Sequence, residues 1–198
     1  MAASNGNSKT GKWERRFMKV TVIQALLAVG LTAFLLWEGV FGVPAASKIV
    51  AGGGAGTWLT VGYLGFLVLG PMVMALTALF YRYIEVTLAK RFGRITGALA
   101  WLHLALWNVG VVGSTWLMMS AGYRGGAAAM SVSSGGLGWS SAQVHSGIMG
   151  VYPPYIAVFM AIAVAGIGLG IIGGSYIWAR STKAEVSVET PLETPAKW

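Results

Sequence analysis

Two histidines and no cysteine are nearly all that this 198-residue chain offers for metal or redox chemistry. His103 lies in a long apolar run, with Trp107 one helical turn further on and Asn108 after it. A histidine in lipid is a default functional suspect. Its imidazole could ligate haem iron, or it could hydrogen-bond to a neighbouring helix. His145 sits in a Gly- and Ser-rich link, too far from His103 in depth for the two to share one iron. It reads as solvated or as part of an interface. Glu38 lies near the end of the first apolar run. A carboxylate in lipid is costly and must be protonated, paired or facing water. Glu38 is therefore either a proton-pathway residue or an interfacial acid paired with Lys48 or a backbone group. Met118 and Met119 make no copper site, because adjacent residues on a helix point in different directions. The sequence has no metal-ligand spacing, nucleophile–base pair or phosphate loop. Without cysteine there are no disulfides and no thiolate metal sites.

Four apolar runs must position these residues: 20–43, 58–81, 95–119 and 155–178. Each meets the ~20 residues needed to cross a bilayer. A composition of 56% hydrophobic and 10% charged residues excludes an ordinary soluble domain or soluble enzyme. In lipid the backbone must satisfy its own hydrogen bonds, so the runs are helices. The short alternating strands of a transmembrane barrel are not seen. The expected fold is an all-α integral membrane four-helix bundle. Residues 1–19 form a polar basic arm, 20–180 the four-span domain and 181–198 a polar tail. Residues 1–11 and the tail are not expected to contribute to a core. The first run is too long for a signal-peptide core, and no small-x-small site clearly follows it.

Charge orients the bundle. Lys9, Lys12, Arg15, Arg16 and Lys19 precede the first run. Arg82, Lys90, Arg91 and Arg94 lie between the second and third, and Arg180 and Lys183 follow the fourth. The other two links carry only Lys48 and Arg124. By the positive-inside rule both termini are cytoplasmic. The net charge of +8 is read as flanking residues that meet anionic headgroups, not as a nucleic-acid surface.

The fourth run carries Gly166, Gly170 and Gly174 on one helix face. Small residues at this spacing let two helix backbones approach closely. Gly110, Gly113 and Ser114 of the third run could receive them, or the stripe could pack on another subunit. The link 120–154 is long and cannot build a core of its own. It is expected to lie against a partner subunit, with Trp139 and Tyr152 as interface anchors.

Taken in order, the spans resemble the last four helices of the haem-copper oxidase catalytic subunit, in the branch of nitric oxide reductases and cbb-type oxidases. Residues 38–71 (EGVFGVPAASKIVAGGGAGTWLTVGYLGFLVLGP) look like the family's segment through a Gly-Val-Trp-Gly turn, a His-Gly-Thr loop and a His-x-His helix. Gly39-Val40-Phe41-Gly42 is similar to the turn, and Gly56-Thr57 to the loop without its His. Residues 101–122 look like the following helix, and 149–155 (MGVYPPY) like the Met-His-Pro-Tyr entry to the last one. The departures weigh more. Tyr63-Leu64-Gly65 stands where the family has its haem-binding His-x-His pair, and Ala55 where it has the loop His. The resemblance thus implies helix packing and orientation without the family's activity.

The expected function is a non-catalytic integral subunit of a prokaryotic respiratory complex, packed on a terminal-oxidase or nitric-oxide-reductase-like catalytic subunit. It would hold no cofactor of its own, and its partners would be other membrane subunits, lipid and quinone. One alternative is a small membrane cytochrome with haem b on His103, its other ligand coming from a partner or from Met. Another is a channel or transporter subunit, for which Glu38, Asn108 and His103 are few and scattered.

Overall fold

The computed structural model describes residues 11–188, with side chains described up to residue 179. Helix α1 is Lys12–Phe41 and the short α2 is Ala46–Ala51. Helix α3 runs continuously over Gly56–Thr87, and α4 is Arg94–Ala129. The short α5 is Ser141–Gly147, and α6 is Tyr152–Val188. Four of these helices are long and apolar enough to cross a membrane, and no strand occurs among the described residues. The four-span, all-α expectation holds.

The helix ends differ from the apolar runs, and the reason is what each end packs against. α1 starts at Lys12, inside the expected arm. Trp13, Glu14 and Phe17 are buried there, while Lys12, Arg15 and Lys19 face outward. α4 continues ten residues beyond Met119, as far as Ala129. The small residues of this extension read as loop, but they serve close packing. A Cβ at Gly122 would strike the backbone of Leu59, and one at Gly126 would strike Ile49. The remaining link folds back on its own chain. Trp139 N–H donates to Ala128 O at 3.0 Å, and Val144 and Met149 are buried with Ala121 and Ala128. Trp139 and Tyr152 pack against that cluster. The expected tail begins inside α6, and residues 1–10 and 189–198 lie outside the described part.

α4 is the central helix. In its most apolar stretch 39% of residues are buried, against 11% for α1. α6 lies along one side of α4 and α3 along the other, while α1 packs chiefly on α3. The glycine stripe is an internal contact. Gly166 faces the backbone N of Trp107, where an added Cβ would sit at 2.7 Å, and Gly170 faces the His103 ring. Gly174 faces Phe80 of α3. In return, Gly110 faces the backbone of Ala163 and Gly113 the ring of Phe159.

Pro71 lies inside α3, where it removes an N–H and its ring crowds the carbonyl four residues back. The helix widens into a π turn over Val68–Met72, a common relief of such strain. Val73 N–H then bonds to Gly70 O and Val68 O rather than to Leu69 O. The indole N–H of Trp107, from α4, donates to Leu69 O at 3.1 Å. A second π turn, Tyr83–Thr87, leads to Ala89 at φ 50, where the helix has ended.

These contacts separate glycines that bear on backbone from those that face open space. Gly110→Ala and Gly166→Ala should each destabilise the protein by about 1–3 kcal/mol, the usual cost of overpacking. Gly168→Ala meets nothing within 4 Å and should not destabilise it. Unfolding titrations in detergent read the difference.

Candidate functional site

The inward-facing residues of α1, polar ones among them, are not scattered. Glu14, Phe17, Thr21, Gln24, Ala28, Leu31, Leu35 and Glu38 follow one another at alternating steps of three and four, which is one face of a helix. That face is buried or half-buried, and the opposite one is apolar and exposed. A lipid-facing helix can turn Val and Leu outward at no cost. It cannot do so with a carboxylate or an amide, so these point inward.

At the end where α1 begins and α3 finishes, the two helices are clamped together. Glu85 Oε2 accepts from the backbone N–H of Trp13 at 2.8 Å and of Glu14 at 3.2 Å. This carboxylate from another helix caps the positive end of α1. Glu14 accepts from Gly11 N–H at 3.0 Å and pairs with Arg82 at 3.0 Å. A Cβ at Gly11 would overlap the Glu85 carboxylate as it is placed here.

One level deeper lies His103, with only 8% of its surface exposed. Its Nδ1 hydrogen-bonds the Tyr81 hydroxyl at 3.2 Å. Phe17 stacks on Tyr81 at 4.5 Å and lies 5.3 Å from the imidazole, and Gly170 bears on the imidazole itself. Trp13 and Phe92 complete the aromatic cluster around Tyr81. His103 is therefore hydrogen-bonded to a neighbouring helix. Gly170, Phe17 and Tyr81 pack against its ring.

At mid-span Gln24 Nε2 donates to Asn108 Oδ1, and Asn108 Nδ2 donates to the Leu104 carbonyl one turn back. Gln24 is only 2% exposed, and its Oε1 has no partner. Further along, Thr32 gives its proton to Ala28 O at 2.7 Å, so Tyr63 is the donor in the 2.8 Å bond between the two hydroxyls. Beyond this, Tyr123 of α4 donates to Glu38 Oε2 at 3.0 Å. The partner of Glu38 is thus a phenol and not Lys48, which α2 carries in an exposed position.

The groups that might do chemistry do not converge. His103 and Glu38 lie towards opposite ends of the bundle, and His145 is exposed on α5. Among the described residues no three His or Glu side chains come together as a metal group. The polar pairs instead form a seam of separate contacts joining α1, α3 and α4. Gln24, Tyr81, Tyr123 and the Glu14–Arg82–Glu85 clamp belong to it and did not stand out in the sequence. The signal for Gln24 was its place on the helix face shared by Glu14, Thr21 and Glu38. No family model matches the chain, no curated protein is significantly similar to it, and no solved structure matches it.

The seam can be tested at its mid-point. A double-mutant cycle with Gln24→Leu and Asn108→Leu should give a coupling of about 0.6 kcal/mol, up to ~1.7, as for other interhelical hydrogen bonds in membranes. Unfolding in mixed micelles measures it. Additive single effects would mean that the two amides do not act as a pair.

Proposed function

We propose that this chain is a non-catalytic integral membrane subunit that packs on the catalytic subunit of a respiratory electron-transfer complex, of the terminal-oxidase or nitric-oxide-reductase-like kind. The observation that carries the reading is the use to which the intramembrane titratable groups are put. His103 is bonded to Tyr81, and Glu38 to Tyr123. Both hold helices together, and neither is placed beside the other for proton or electron transfer. Meanwhile α1 turns a long face of Val22, Ile23, Leu26, Val29, Leu36 and Val40 away from its own bundle. Such a face suits lipid or another membrane subunit. The class of complex comes from the resemblance to the haem-copper oxidase catalytic subunit. Under this reading the membrane is the prokaryotic cytoplasmic membrane. The end bearing Lys12, Arg15, Arg16, Arg82, Lys90, Arg91 and Arg94 faces the cytoplasm.

Extraction from native membranes in mild detergent tests this, with intact-complex mass spectrometry and a pyridine haemochrome assay on the same fraction. The chain should co-migrate with a haem-copper catalytic subunit, and His103→Ala should leave the haem content unchanged. A monomer or homo-oligomer with its own haem, lost in His103→Ala, would make the chain a small cytochrome. Solute flux through the reconstituted chain alone would make it a channel or transporter subunit.

A further inference from the structure

Side chains bridge α1 to α4 at mid-span through Gln24–Asn108, and again near the far end through Glu38–Tyr123. Between these bridges the two helices part, and α3 floors a groove that opens sideways. Leu27, Gly30 and Phe34 of α1, Phe66 of α3, and Trp116 and Met119 of α4 line about 480 Å³ of almost wholly apolar space. A smaller cavity of about 170 Å³ continues along Trp116 and Met119 to Ser120, Tyr123 and Arg124. The apolar slot therefore ends at a cation.

We propose that this groove is a binding site for one phospholipid of the leaflet at the Glu38–Tyr123 end of the bundle, its acyl chain in the slot and its phosphate on Arg124. Length selects this occupant. From Val112 to Arg124, α4 rises about 18 Å at ~1.5 Å per residue. One hydrocarbon leaflet is ~15 Å deep, half of the ~30 Å core. The lining is almost wholly apolar, which suits a hydrocarbon chain.

Charge selects the head. Arg124 is exposed, and its guanidinium reaches only the Tyr152 hydroxyl, at 3.4 Å. Among the described residues the one ion pair is Glu14–Arg82, so no carboxylate neutralises Arg124. Nearby Glu38 accepts from Tyr123 and does not line the groove. A guanidinium offers forked donors that match phosphate oxygens.

Gly30 gives a direct test, since a Cβ there meets nothing within 4 Å. Gly30→Leu starts from that open position and adds bulk at the lining of the slot. Gly168→Leu adds the same bulk on α6, where a Cβ also meets nothing, and serves as the control. Delipidated protein is titrated with phosphatidylglycerol carrying C16 and C18 chains, and the lipid-bound fraction is read by native mass spectrometry. Gly30→Leu and Arg124→Gln should each weaken retention about tenfold or more, and Gly168→Leu should match the wild type. Unchanged retention in Gly30→Leu, or equal loss in Gly168→Leu, overturns the site. So does recovery of an isoprenoid quinone in place of phospholipid from the undelipidated protein. If Gly30→Leu does not fold, the wild type still decides. Phosphatidylglycerol with a photoreactive acyl chain should label the 112–119 stretch of α4 and the facing part of α1. Labelling spread evenly over the spans contradicts the proposal.

Discussion

Lipid offers no hydrogen bonds, and that single constraint sets how α1 lies on this bundle. A polar side chain in a span must find a partner on another helix or bear its desolvation cost alone. Glu14, Gln24, Thr32 and Glu38 find theirs in Arg82, Asn108, Tyr63 and Tyr123. Four contacts along one helix fix both its rotation and its height against α3 and α4. The hydrophobic effect cannot do this, because lipid tails are as apolar as the side chains they would replace. α1 is the least buried of the spans and depends on this seam most.

The contact between α4 and α6 rests on a different principle. Gly110, Gly113, Gly166 and Gly170 remove side chains where backbone or ring must come close. Dispersion over closely approached backbones holds these helices together. The same closeness decides the fate of His103. Gly170 allows α6 to lie on the imidazole, while Tyr81 takes Nδ1. Helix packing thus commits Nδ1 of the one histidine in these long helices to a contact between helices.

Much of the fold was legible because the bilayer makes it so. Four apolar runs of sufficient length could only be helices, and four spans appear. The ends were less legible, for two reasons. Lys12, Arg15 and Lys19 disguised the first turns of α1 as an arm, although Trp13 and Phe17 between them are core residues. The Gly- and Ala-rich stretch before Met130 looked like loop, because small residues serve turns and close helix packing alike. At the site, Glu38 and His103 stood out by charge, but their partners are tyrosines. Tyrosine is common in any membrane protein, so nothing in the sequence marked Tyr81 or Tyr123. Gln24 was missed as an uncharged residue within an apolar run, although it lies two heptads before Glu38 on the same face.

The central claim is that the intramembrane polar groups are structural and that the exposed apolar surface belongs to a larger assembly. Electron cryo-microscopy of the complex purified from native membranes tests it most directly. The account predicts a catalytic subunit against the outward face of the spans, with His103 still on Tyr81 and Glu38 still on Tyr123. Haem density on the His103 imidazole, or a water-filled path joining His103 to Glu38 through the seam, would contradict it.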